Sequence, residues 1–318
     1  MSKARLNLIV ASLLTLTATS AFAAGVDRVW VSGHGVDQSG CGAPTNPCRS
    51  LQYAHDNIVA SGGEIDILDP AGYGSLTITK AISIVNDGVG TAGVQATAGN
   101  AITINAGPTD AVYLRGLNID GVHFAGHFGI LLNSAASFTM IDCVVRHFSS
   151  YGVYIQPSAN FSFGLYNSFI LDNEGFGVLY QPSTGAPTVY GIVDHVVSDG
   201  NEGGFNIGGS SGAIHLTVSN SQASNNTWYG LASYALDPGG AVVEIHDTTM
   251  DNNAEYGLWT EVNGVAHIAR SVFDGNGING IYNRSTPPGG VYSAADNHAE
   301  DNGSAATNGS IATSDTLY

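Results

Sequence analysis

Short runs in which apolar and polar residues alternate recur along this chain, each broken by Gly, Asn, Asp or Ser. In one of them Val243 and Ile245 alternate with Glu244 and His246, the period of a strand with one buried face. Beyond residue 62 no stretch carries a helical period, so the pattern predicts an all-β chain with many turns. The exception precedes that point. In "RSLQYAHDNIVA", residues 49–60, Leu51, Ala54 and Ile58 fall on one helical face and Gly62-Gly63 ends it, which predicts a short helix able to cap an open apolar end. "EIDIL", "SLTIT" and "AISIV" then read as the first strands.

The alternating runs are copies of one unit. A Gly followed by an apolar residue stands at Gly129, Gly152, Gly177, Gly204, Gly230, Gly257 and Gly280, with spacings of 23 to 27. Ten residues before each Gly from the second onward comes Asp142, Asn167, Asp194, Asn220, Asp247 or, as the exception, Arg270. On this alignment the length variation falls between each Gly and the next such landmark. One side of the unit is geometrically locked and a loop on the other side is free. A unit of this length cannot bury its own apolar side chains, and a period of short strands this size suits one turn of a parallel β-helix.

The alignment also assigns faces. Met140, Leu165, Ile192, Val218, Ile245 and Ile268, two before the landmark, are expected to point inward, as are Val145, Ile170, Val197, Ala223, Met250 and Phe273, three after it. Six after it stand Asn173, Asn226, Asn253 and Asn276, with Phe148 and Gly200 in the other places; stacked Asn residues at a tight bend form a structural ladder. Phe128, Tyr151, Phe176, Tyr229 and Tyr256 form an aromatic column just before the Gly. The expected organisation is a signal peptide over 1–24, an N-terminal strand, disulfide loop and capping helix over 25–62, the parallel β-helix over 63–290, and a final irregular coil or polar tail over 291–318.

Composition and charge change the picture at the ends and in the choice of partner. Residues 1–24 carry Lys3 and Arg5, an apolar run from Leu6 to Leu16 and the small-residue stretch "TATSAFAA", the pattern of an export signal. No later run is long and apolar enough to span a bilayer, so the expectation is a secreted or periplasmic protein with no membrane insertion. Removing the signal leaves seven basic against 26 acidic residues, a net of −19. That balance excludes nucleic acid as a partner, because phosphate backbones reward clustered Lys and Arg. It would also repel an anionic glycan unless Ca2+ bridged it to carboxylates; no other cofactor and no protein-held metal is expected. Cys41 and Cys48 flank the loop "GAPTNP" and are expected to form a disulfide after export, whereas Cys143, in the apolar run "FTMIDCVVRHF", is expected to be a packed free thiol.

The opening "VWVSGHGVDQSGCGAPTNPCRSLQYA", the following "GGEIDILDPAGYGSLTITKAISI" and the repeats "GVYI", "GVLY" and "GLWT" resemble secreted bacterial members of the pectate-lyase-like superfamily, most of them without an assigned activity. The resemblance covers nearly all of the chain after residue 24 and implies a right-handed parallel β-helix. It does not carry a chemistry with it, since one coil type hosts lyases, hydrolases, epimerases and adhesins. Polygalacturonase-like enzymes combine "NTD", "DD" and "RIK" with a Gly-His-Gly; here only Gly33-His34-Gly35 is present, ahead of the helix, and is expected to be a turn. The "RxxR" of calcium-dependent pectate lyases is absent, and the "DPGG" at 237–240 lacks the His and Glu an epimerase would show.

Stacking itself proposes a site. Glu244 and His267 share a column on adjacent coils, His246 stands on the same outward face, and Arg270 replaces the landmark; together they form a candidate catalytic group for β-elimination or hydrolysis. The alternative is a solvated surface with Arg270 paired to Asp247. Trp259 and Tyr282 are candidate substrate-binding residues, offering sugar-stacking surfaces on a neighbouring face. His123 and His127, in the Gly-rich "GVHFAGHFG", are not expected to be metal ligands. Two functional classes stay open. One is an exported protein that binds, and in one version cleaves, a polysaccharide along an outer sheet face by lyase or glycoside-hydrolase chemistry. The other is a non-catalytic surface, matrix or adhesion protein with the solenoid as a rigid scaffold.

Overall fold

The computed structural model describes residues 25–182, 187–209, 212–236, 240–285 and 289–313. The expected signal peptide over 1–24 and Asp237, Pro238 and Gly239 of "DPGG" lie outside them. Among the described residues, parallel sheets of 12 and 10 strands run along the stack, a third of 7 strands ends at Gln222–Ser224 and continues only as single bridges through Thr249, Val272 and His298, and each strand pairs with its counterpart one coil away. A middle coil shows the plan: Phe161–Tyr166 in the long sheet, Phe169–Leu171 in the short sheet, Val178–Tyr180 in the second sheet, then a variable loop back to Thr188–Asp194. The result is a right-handed parallel β-solenoid whose centre is filled by one continuous apolar core.

Ile245 pairs with Ile268, and both are buried, as stacking requires. The Gly column has a steric cause. A Cβ on Gly230 would come within 2.7 Å of the Gly257 carbonyl oxygen, and one on Gly257 within 2.6 Å of that of Gly280. Coils approach too closely there for any side chain.

From Asp142 onward each coil turns at two left-handed residues that bracket the short-sheet strand or, in the last two pairs, the single bridge residue Thr249 or Val272. The first column is Asp142, Asn167, His195, Asn220, Asp247 and Arg270; the second is His147, Asp172, Gly200, Asn225, Asn252 and Gly275. Asn, Asp and Gly dominate because they tolerate this backbone best. Next to the second column runs a ladder of the buried Asn173, Asn201, Asn226, Asn253 and Asn276, ending in the half-buried Asn302. Each side-chain oxygen from Asn201 onward accepts the main-chain N–H of its counterpart one coil earlier, at 2.9–3.1 Å. The ladder satisfies backbone donors that the bend would otherwise bury unpaired.

One coil departs from the sequence alignment by a residue. The left-handed corner is His195, and Asp194 is the last residue of the strand before it. Val193, not Ile192, pairs with Leu165 and Val218 and points inward; Ile192 is 45% exposed. Ser198 takes the interior place expected for Val197, and Asn201 the ladder place expected for Gly200. A shift of one residue exchanges the faces of a strand. This register is the better one because it buries Val193, puts Asn201 into the ladder and gives Gly200 the second left-handed corner. Its costs are an exposed Ile192 and a buried Ser198, whose hydroxyl is satisfied by donating to the Gly204 carbonyl at 2.9 Å. The interval of ten from corner to Gly is therefore nine in this coil.

At the N-terminal end, helix Leu51–Asn57 packs against the first strands with Leu51 and Ala54 buried. Ser50 starts it, its hydroxyl accepting the Tyr53 N–H. Cys41 and Cys48 are bonded, and Gly33-His34-Gly35 is a turn tied to Asp69 through the Gly33 N–H. At the other end, strands Gly290–Ser293, Ala305–Asn308 and Ile311–Thr313 add a further coil to the long and second sheets.

Candidate functional site

The outer face of the long sheet carries the acid and imidazole group. Glu244 stands opposite His267 in register, and His246 opposite Ala269. The His246 Nε2 lies 3.9 Å from the Glu244 carboxylate, and the His267 ring stacks on Tyr292 at 4.9 Å. Arg270 does not join them. It occupies a left-handed corner, and from there its guanidinium runs to Asp247 on the preceding coil, with two hydrogen bonds of 2.8 Å. This bidentate pair raises Arg270 further above its ordinary value and holds the Asp247 carboxyl below its own. Stacking thus brings Glu244 and His246 close and sets His267 in register with Glu244 one coil on, while Arg270 belongs to a structural pair. Glu244 is 45% and His246 30% exposed, on a sheet surface that water reaches freely.

The outer face of the second sheet is paved with aromatic rings. Phe128, Tyr151 and Phe176 stack in order with centroids 5.5 Å apart, as their shared column requires. The next coil has Gly203 in that place, and Phe176 and Tyr229 close over it at 5.9 Å. Two residues beyond the Gly column, Tyr154 packs edge-on to Tyr151 at 5.4 Å, and Trp259 and Tyr282 pair in register further along. Trp259 lies against Trp228 at 5.4 Å and Tyr229 at 5.5 Å, while Tyr282 stacks on Tyr256 at 4.4 Å. Tyr234 bends over the bare backbone of Gly208, where a Cβ would meet its hydroxyl at 2.4 Å.

These rings bury the small outward residues beneath them: Leu179, Asn206 and Ala232 are at most 5% exposed. Tyr151, Tyr154, Trp228, Tyr234, Tyr256, Trp259 and Tyr282 remain half-buried, each with part of its ring at the surface. Their crowding has an electrostatic signature. Burial, then the neighbouring Tyr151 and Tyr154, raise the Tyr234 hydroxyl, and burial raises the Glu202 carboxyl beside Tyr229. Two polar atoms of this face, Asn206 Oδ1 and Trp259 Nε1, are buried without a hydrogen-bond partner.

Sequence reasoning singled out Trp259 and Tyr282 here and missed Tyr154, Tyr234 and Trp228. Tyr154 shares their offset from the Gly, and Tyr234 is one alternation further along its strand, so both were recoverable from the repeat. Trp228 sits before the Gly in a turn, and only the fold brings it onto Trp259. His127 lies with its ring against Phe128 at 3.9 Å, apart from any metal set, and no group of three metal-binding side chains occurs among the described residues.

A family model described as "Right handed beta helix region" matches residues 128–302. Among solved structures, pectate lyase Pel9A aligns with a TM-score of 0.54 at 14% identity, covering 90% of this chain and 80% of that one. The A-module of mannuronan C-5 epimerase AlgE4 from Azotobacter vinelandii aligns with a TM-score of 0.36 at 16% identity, covering 81% and 89%. No curated protein matches the sequence.

Proposed function

Because this chain belongs to the right-handed β-helix family, a fold whose interior is packed and whose exterior varies, we propose that it is an exported protein that binds a polysaccharide along the aromatic face of its second sheet. The observation that carries this reading is the line of half-buried rings from Tyr151 to Tyr282. With Phe176 they occupy five of six consecutive coils, the rings on either side closing over Gly203 in the sixth, and the track is about 24 Å long at the spacing of stacked strands. Aromatic rings present flat apolar faces with polar rims, which suits the C–H faces and hydroxyls of sugar rings. The fold shared with a pectate lyase supplies a precedent for a polysaccharide on such a stack. Export rests on the apolar run of residues 1–24 and on the Cys41–Cys48 disulfide. The helix Leu51–Asn57 serves in this reading as the cover of the open N-terminal end.

Affinity electrophoresis of the mature protein through gels containing neutral and uronate glycans tests the proposal. Retardation by at least one glycan is expected, weakened about tenfold or more in Trp259→Ala. Retardation by none would overturn it in favour of a non-catalytic scaffold or adhesion protein.

Cleavage is a second reading, favoured by the Glu244, His246 and His267 arrangement, in which a carboxylate and two imidazoles offer a general base and acid. If unsaturated or reducing ends are released, His246→Ala or His267→Ala should abolish the release. Full activity in both variants would place the chemistry elsewhere.

A further inference from the structure

The coil that ends in Phe128, the first ring of the aromatic face, carries extra length in the half of the unit that stays nearly constant in the coils after it. From its left-handed corner at Gly116 to its column glycine at Gly129 there are 13 residues, against nine or ten in each of the next six coils. The extra length forms a turn in which Val122, His123 and Phe124 are all left-handed, with φ of 47°, 58° and 63°. Three consecutive non-glycine residues in this region, one of them β-branched, are strained, and strain of this kind persists only where the surroundings impose it. Here they do. The Val122 N–H donates to Asp120 at 2.8 Å, the Phe124 N–H to the His147 carbonyl at 3.1 Å, and the Gly126 N–H to the Gly121 carbonyl at 2.9 Å.

The turn walls a depression of about 360 Å³ lined by Gln95, Asp120, Val122, His123, Phe124 and His147. Gln95, Asp120 and Arg146 are stacked neighbours on the outer face of the short sheet. The Asp120 carboxylate accepts from Arg146 Nε at 3.0 Å and lies 3.4 Å from His147 Nδ1. Partial burial pushes that carboxyl up, but the Val122, Arg146 and His147 contacts outweigh burial and hold it below its ordinary value. The depression therefore contains a charge already neutralised by Arg146, an amide, two imidazoles, the Val122 side chain and the Phe124 ring, which is 40% exposed and meets His147 edge-on at 5.8 Å.

The geometry points to this depression as a binding site for a single uncharged pyranose ring, such as the end or a side branch of a glycan, separate from the aromatic track of the second sheet. The class follows from the lining. A carboxylate, an amide and imidazoles accept and donate to hydroxyls, and Phe124 offers a face for the apolar side of a sugar ring. An anionic sugar finds no uncommitted guanidinium, because Arg146 is held by Asp120.

Ring-proton and nitrogen NMR signals of His123 and His147, recorded while methyl glycosides of neutral hexoses and, separately, galacturonate and glucuronate are added to the mature protein, test the inference. At least one neutral glycoside should shift both rings saturably in the millimolar range. Phe124→Ala and His123→Ala, at surface positions, should weaken that binding about tenfold. Trp259→Ala should leave it unchanged, which separates this site from the aromatic track. No saturable shift with any neutral glycoside, tighter binding of the uronates, or undiminished affinity in both depression variants would each overturn the inference.

Discussion

At the corner after the long sheet, one residue past the left-handed position, a column reads Cys143, Ser168, Val196, Ser221, Thr248 and Ser271. The hydroxyls fold back onto the carbonyl two residues earlier, as Ser168 does to Tyr166 at 2.7 Å and Ser221 to Ser219 at 2.6 Å. Cys143 does the same with sulfur, its Sγ 3.3 Å from the Ile141 carbonyl. Burial pushes its thiol up to about 12, so the nucleophilic thiolate is absent at physiological pH. Two outcomes follow from this position. Cys143 should resist a thiol-specific reagent in the folded protein and react once the chain is unfolded in urea. Cys143→Ser should change the unfolding free energy by about 1 kcal/mol or less, since the neighbouring coils show a hydroxyl satisfied in the same geometry. Rapid labelling of the native protein would show that the site opens.

The N-terminal helix is the element whose attachment depends on a titrating group. His55 is buried; its Nδ1 lies 2.6 Å from Asp56, and its Nε2 accepts the Thr79 N–H at 3.2 Å. Lys80 binds the same segment through the His55 and Val59 carbonyls. Burial is the main cause that lowers the His55 pKa from its ordinary value of 6.5, with Lys80 assisting and the Asp56 hydrogen bond opposing. A base with a depressed folded pKa binds fewer protons when folded than when unfolded. The neutral ring's contribution is thus fully present above 6.5 and is lost as pH falls from there through the depressed folded value. Limited proteolysis near residues 49–60 should accelerate on mild acidification in the native protein and lose that dependence in His55→Gln. An unchanged profile in the variant would assign the effect to another group. The helix itself was legible from Leu51, Ala54 and Ile58, whereas the partner of His55 was not, because Thr79 is 24 residues away and meets it only after the first coil has closed.

For the whole molecule, the dominant facts are a one-dimensional stack and a charge of −17 over the full chain. Each coil contacts mainly its neighbours, so the length variation of the loops leaves the core undisturbed and alters only the outside. The negative field bears on what the track can hold. A uronate polymer should be retarded only when Ca2+ bridges its carboxylates to those of the protein, and a chelator should abolish that retardation while leaving a neutral glycan unaffected. Strong uronate binding in chelator at low salt would contradict this electrostatic account.

The sequence by itself determined the period, the parallel stacking, the all-β class, the Asn ladder and the facing of Glu244 on His267. These follow from inward apolar residues and turn residues repeated at near-constant offsets, and such offsets survive any change in the loops. Tertiary structure alone decided the register at Asp194 and His195, where two adjacent residues could both serve as the corner and the packing of Val193, Ser198 and Asn201 chose between them. It also decided what happens outside the stack. Arg270 turned to Asp247 because a left-handed corner carries its side chain off the sheet face, and Trp228 reached Trp259 because a turn folds back over its neighbour. Side chains at corners and turns are not held in a strand register, so their meetings, unlike that of Glu244 with His267, depend on local backbone geometry that the period does not encode.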